Sequence, residues 1–336
     1  IGNGVAYSVG FLDLYNATLS ILNGSSLTVN QGSTAWDQWS MGANNTTTAI
    51  VIGAGSTLST GGANATLGRG NNANNFLIIE GGTFEINDAR LFMWGMATSG
   101  ETSRSNNIIT ISGDGLLTTS GNLSFGRDAY STGHIALDNG RVQAANLYVG
   151  DNNATSVGVM TVSSGSINVT NGLYIGSAGT GTLSFGGASS TGSTTLMIIG
   201  NNATGVGSFE QSGGTFTVSG NATIANAAGS VGSMTVSGGT YAGAAQLLVG
   251  ENGQGSLYVS GASTVVTASA FVIGNRSNSL ASTFEMTGGN MTVTGATTLG
   301  NNAGANAAAT ISGGTFKGGN MTIGNLGGGT LFVSGA

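Results

Sequence analysis

The feature that most constrains this chain is a period of about 25 residues, marked by a short apolar strand that ends in glycine. The marker recurs as Leu123-Ser124-Phe125-Gly126, Leu147-Tyr148-Val149-Gly150, Leu173-Tyr174-Ile175-Gly176, Met197-Ile198-Ile199-Gly200, Leu247-Leu248-Val249-Gly250, Phe271-Val272-Ile273-Gly274, Thr297-Thr298-Leu299-Gly300 and Met321-Thr322-Ile323-Gly324. One further member, Ala222-Thr223-Ile224-Ala225, ends in alanine. From residue 126 to residue 324 the spacings are 24, 26, 24, 25, 25, 24, 26 and 24. Self-similarity this regular marks a stacked repeat, in which no single unit can bury its apolar face alone.

Between markers lies a second element, an alternating strand closed by Ser-Gly-Gly and followed by another apolar strand. Examples are Ser208 to Phe216, Ser233 to Tyr241 and Thr310 to Phe316. Each period therefore holds several short strands with period-two alternation, separated by glycine corners. The N-terminal third keeps the pattern loosely, with anchors expected at Gly10, Gly42, Gly68 and Gly95 and extra residues near Gln31 to Ser40 and Met96 to Asn106, read as inserted loops. The predicted fold is all-β: one continuous right-handed parallel β-helix, or β-solenoid, of about 13 coils over residues 1–336, irregular over 1–106 and regular over 107–336.

Composition agrees with stacked strands and excludes other classes. The chain has 62 glycines, no proline and no cysteine, and only 6% of its residues are charged. Proline would remove a ladder donor almost anywhere in a stack, whereas glycine permits positive φ at sharp corners. Absence of cysteine excludes a disulfide framework and a thiolate zinc site. A net charge of −6, with Lys317 the sole lysine, argues against a nucleic-acid partner. No apolar run approaches the roughly 18 residues of a membrane span.

Stacking predicts matched columns. Val149, Ile175, Ile199, Ile224, Val249, Ile273, Leu299 and Ile323 should form one inner column, and Phe216, Tyr241, Met291 and Phe316 another. Asparagine follows several anchors, at Asn201, Asn226, Asn275, Asn301 and Asn325. These side chains can bond amide to amide along the stack, and asparagine also tolerates left-handed corners.

The G-x-L-x-V-S-G-G-x pattern, as in Gly255 to Ala262, followed by the aliphatic-glycine anchor, resembles the parallel β-helix repeats of bacterial surface proteins, in particular the autotransporter-associated β-strand repeat and related adhesin passengers. That resemblance covers nearly the whole chain and implies an architecture and an extracellular or cell-surface setting more than an activity. Nothing in the chain looks like the membrane barrel of an autotransporter.

No catalytic, cofactor-binding or metal site is expected. The densest charged stretch, Glu101 to Asp151, includes Arg104, Asp114, Arg127, Asp128, His134, Asp138, Arg141 and Asp151, but these sit at different points around the coil. Arg127 with Asp151, and Glu251 with Arg276, read as ion pairs between successive coils. His134 is the sole histidine, and Glu210 and Glu285 lie three coils apart, too far to cooperate. Three functions follow. The leading one is a non-enzymatic extracellular structural subunit that polymerises head to tail into a surface fibre or sheath. An adhesin passenger would bind a glycan or host protein through loop aromatics, Trp36, Trp39 and Trp94 being the candidate lateral or ligand contacts. A polysaccharide-degrading β-helix enzyme would use Asp128, Asp138 or Arg141.

Polymerisation rests on the ends. Neither shows a polar or helical cap of the kind that keeps a solenoid monomeric. The start, with Ile1, Val5, Tyr7 and Val9, and the finish, with Leu331, Phe332 and Val333, read as two half coils that complete each other between copies. Twelve residues follow Gly324 and the first expected anchor is residue 10, so the joint would hold 22. The competing explanation is a window cut from a longer solenoid.

Overall fold

A computed structural model describes residues 1–10, 12–30, 39–41, 46–61, 66–67, 73–87, 92–94, 105–127, 129–276 and 281–335. Among these the regular elements are all β-strands, and the strand pairings are parallel, between residues about one turn of 25 residues apart. The fold is a parallel β-solenoid. Each turn contributes one strand to each of three ladders. Contacts divide the chain into two compact units, 1–170 and 171–336. No helix among the described residues is long and apolar enough to cross a membrane.

In the first unit, the first ladder runs through Ala6–Val9, Ser26–Asn30, Thr57–Gly61, Thr83–Ile86, Leu116–Thr119 and the start of Gly140–Val149. Alternation sends every second side chain inward, so Leu27, Leu58, Phe84, Leu117 and Val142 form a column with at most 3% exposure. The third ladder stacks Ile21, Ile52, Ile79, Ile111, Leu137 and Val162 in the same way. The second ladder places Leu14, Met41, Leu67, Trp94, Phe125 and Val149 at one register position.

This register corrects the sequence reading at three points. Gly10 is not an anchor: it closes a first-ladder strand, and the residue after Leu14 is Tyr15, exposed and without glycine's freedom. The misassignment arises because Val9-Gly10 has the same local pattern as a true anchor. Trp39 and Ser40 belong to a strand, Trp39–Met41, and Asn106 to another, Ser105–Ser112, not to loops.

In the second unit, the anchor column is continuous from Ile175 through Ile199, Ile224, Val249, Ile273, Leu299 and Ile323. The aromatic column is Phe216, Tyr241, Val266, Met291 and Phe316, with Val266 filling a turn the sequence reading passed over. Phe216 packs edge-on against Phe185 and Phe209, with ring centroids 5.2 and 5.1 Å apart. Each such ring, fully buried, is worth roughly 1.5–3 kcal/mol before its ordering entropy. Gly192 makes the space: a methyl there would lie 2.2 Å from the Phe216 ring.

The anchors explain the glycine period. From Gly126 to Gly324 each has φ between 60° and 75°, and Ala225 adopts the same conformation with φ 60°. Immediately across the corner sits a second glycine, Gly207 or Gly232 for example, whose Cβ would lie within 2.6 Å of backbone atoms of the preceding turns. Small residues, glycine in most turns, are therefore favoured at both positions where second-ladder and third-ladder strands meet, with Ala225, Ser282 and Ala307 as the exceptions in the second unit.

Candidate functional site

The end turns are where the inner columns lose their cover. At the start, Tyr7 and Val9 are in register with Leu27 and Val29, both buried, yet Tyr7 is 47% exposed. Val5 and Ile1 are exposed too. At the finish, Leu331 and Val333 pair with Ala309 and Ile311 and so continue inner columns, while Phe332 pairs with Thr310, in line with outward Glu285. Leu331 is half-buried and Val333 is 66% exposed, and Met321 and Ile323 of the last second-ladder strand are also exposed. Of the residues expected at a self-assembly face, Tyr7, Val9, Leu331 and Val333 thus lie on uncovered columns, and Phe332 stands on the outer surface.

Ile1 has a particular place. Its backbone nitrogen donates to the Ser20 carbonyl at 2.8 Å, and its carbonyl accepts from the Leu22 amide at 2.9 Å. That pairing sets Ile1 over Ile21, which is fully buried. Ile21 is at the register position that Val333 holds in the last turn, counted along the third ladder of each unit. Ile1 therefore covers Ile21 as the neighbouring turn covers the inner column elsewhere.

Along the flank of the second unit, the side chains after the anchors form a hydrogen-bonded ribbon. Asn226 Nδ2 donates to Asn201 Oδ1 at 3.0 Å, Asn301 Nδ2 to Asn275 Oδ1 at 2.7 Å, and Asn325 Nδ2 to Asn301 Oδ1 at 3.1 Å. Glu251 takes the asparagine position in its turn and accepts from Asn275 Nδ2 and, at 2.5 Å, from Arg276 Nε. The carboxylate's hydrogen bond and charge hold the Arg276 guanidinium above its usual range. These asparagines are not left-handed corners. That role falls to the preceding glycine or Ala225.

The described residues of the charged stretch in the first unit do not converge. Asp151 Oδ2 accepts from Ser124 Oγ at 2.9 Å and lies 3.9 Å from Arg127 Nε, the expected pair between turns. Asp138 Oδ1 accepts from Ser164 Oγ at 2.8 Å, tying it to the next turn. His134 lies four residues before Asp138 on the same strand, and partial burial lowers its pKa. Asp128, Glu101 and Arg104 lie outside the described residues. Among the described residues no three His, Asp or Glu side chains group as a metal site would need. Glu210 and Glu285 stand in one outward column separated by Thr235 and Tyr258.

Trp36 lies outside the described residues, as do the side chains of Trp39 and Trp94. The Trp39 backbone pairs with Leu12 and that of Trp94 with Phe125. No protein-family model, curated protein or solved structure matches the chain.

Proposed function

We propose that the protein is an extracellular structural subunit, a β-solenoid that extends end to end through further copies of itself into a surface fibre or sheath. One observation carries this reading: inner-column residues stand partly or largely exposed in both end turns, Tyr7 and Val9 of the first ladder on one side, where Ile1 covers the third-ladder Ile21, and Phe316, Met321, Ile323, Leu331 and Val333 of the three ladders on the other. Open strand edges of this kind recruit strands from other chains. The two faces match strand for strand. Thr315–Lys317 of one copy would pair with Ala6–Val9 of the next, Met321–Ile323 with Leu12–Leu14, and Gly328–Val333 with Thr18–Ile21, a heterologous joint that repeats without closing.

The resemblance to bacterial autotransporter-associated repeats and adhesin passengers supports the surface setting, as do the sparse charge and single lysine, which leave few sites for basic-specific proteases. In this reading the protein is not an enzyme, and its chemistry is packing and hydrogen bonding between turns. Electron microscopy and sedimentation of the purified chain test it. Fibres or concentration-dependent oligomers are expected, and the double variant Ile323→Lys/Val333→Lys, which charges two uncovered columns, should remain monomeric with its strand content intact. A wild-type chain that stays monomeric at high concentration, or a native polypeptide whose own next turn covers these columns, overturns the proposal.

A further inference from the structure

The first unit carries a trough unrelated to its ends. It has a volume of about 380 Å³ and lies along the corner between the first and second ladders. Glu85, Thr118, Gln143 and Asn168, from successive turns, line it together with Asn87 and Ser120. Three turn spacings of about 4.8 Å give it a length near 14 Å. Glu85, Thr118 and Gln143 are half-buried and share one outward column. The charged head of Glu85 and the amide of Gln143 make no hydrogen bond or ion pair with any described residue.

We propose that this trough binds a linear, uncharged oligosaccharide. Its lining offers carboxylate, carboxamide and hydroxyl groups, repeated at the turn spacing, over a narrow apolar floor that includes Ile86 and Ala144. Such a surface suits a chain of sugar rings, whose hydroxyls bond to the walls and whose C–H faces rest on the floor. Among the described residues the lining contains no lysine, arginine or histidine, and the protein's net charge is −6, which disfavours phosphorylated or acidic polymers. The floor is too small for an acyl chain. A peptide would bind by adding a strand to a free edge, but the trough's strands pair backbone to backbone with the turns on either side. Side chains alone are available, and Glu85 is placed to accept from two adjacent hydroxyls.

The test is calorimetric titration of the full chain with linear neutral hexasaccharides of the cello, xylo, chito and malto series, with a hexapeptide of mixed sequence and an acidic hexasaccharide as controls. At least one neutral series should bind with Kd below 1 mM. Glu85→Gln and Gln143→Ala should each weaken that binding tenfold or more. Ala145→Trp, which fills the trough from its rim, should abolish it, and Trp36→Ala/Trp39→Ala should leave it within twofold. Circular dichroism establishes that each variant is folded. Because Gln143 is only half-buried, its truncation serves if the tryptophan variant misfolds. No binding by any neutral series, tighter binding by either control, binding that survives the trough variants, or loss confined to the tryptophan pair overturns the assignment.

Discussion

A methyl group on Gly176 would sit 2.1 Å from the carbonyl oxygen of Val206, which belongs to the next turn of the third ladder. The anchor period is therefore a steric requirement between neighbouring turns as well as a matter of local φ. Gly176→Ala must enter a left-handed conformation, at roughly 1–2 kcal/mol, and push a ladder carbonyl aside, at roughly 1–3 kcal/mol more. A loss of about 3 kcal/mol is expected in a denaturant titration.

Ala225 occupies the same corner with φ 60°, so the reverse substitution carries the opposite sign. Ala225→Gly releases about 1–2 kcal/mol of left-handed strain and gives up about 0.8 kcal/mol for one fully buried methyl. A small net gain, no more than about 1 kcal/mol, should appear as a raised melting temperature. Destabilisation would mean that this corner is held for a reason other than backbone conformation.

The asparagine ribbon should stabilise the stack through its middle members. Asn301 both donates to Asn275 and accepts from Asn325, so Asn301→Ala should cost about 1–3 kcal/mol. Glu251→Gln keeps an acceptor for Asn275 only by turning its amide nitrogen toward Arg276 Nε, so it loses both the hydrogen bond and the charge opposite Arg276, whose side chain is 61% exposed. Glu251 is buried while Arg276 is exposed, so the fall in denaturation midpoint should be modest, and its charge part should shrink in high salt.

How far the sequence carried can be judged at particular residues. The second unit was legible because glycine is sterically favoured at most of its corners, so the period survives in the letters themselves. Gly10 misled because an aliphatic-glycine pair also closes a first-ladder strand. Phe332 could not be oriented from sequence, since Leu331, Phe332 and Val333 are all apolar and only the register with Ala309 and Thr310 fixes which of them faces inward. The trough was missed entirely. Its residues are ordinary outward-facing polar side chains 25 or so residues apart, and nothing but the stacking brings Glu85, Thr118 and Gln143 together.

Tyr241 is fully buried, and its hydroxyl meets only the Met197 sulfur, at 3.8 Å. Burial pushes its phenol pKa up strongly. The unfolded chain releases this proton from about pH 10, while the folded chain retains it, so folding stability is fully present below pH 10 and falls as pH rises above it. Tyr241→Phe removes this alkaline loss and leaves no weakly satisfied hydroxyl in the core. Its melting temperature at pH 7 should equal or exceed that of the wild type, and the gap should widen by pH 11.

Ile1 predicts a kinetic effect on assembly. Because Ile1 covers Ile21, where Val333 of another copy would pair, residues 1–4 must swing away before the third ladders join. Only a few backbone hydrogen bonds hold them. Removing Ile1 to Gly4 should shorten the lag of light-scattering traces without changing the strand content. An unchanged or longer lag would contradict this role.

The end-to-end joint is tested most directly by a cross-link at its register. Phe316 should stack on Tyr7 of the next copy, which brings Lys317 beside Ser8 on the outer surface. The chain has no cysteine of its own, and neighbouring strands lie within disulfide reach, with Cα atoms roughly 5 Å apart. The double variant Ser8→Cys/Lys317→Cys, oxidised and run on a non-reducing denaturing gel, should give a ladder of covalent dimers, trimers and longer chains that reducing agent collapses to the monomer. Each single variant should stop at the dimer or below. A double variant that remains monomeric under the same oxidation would contradict the joint.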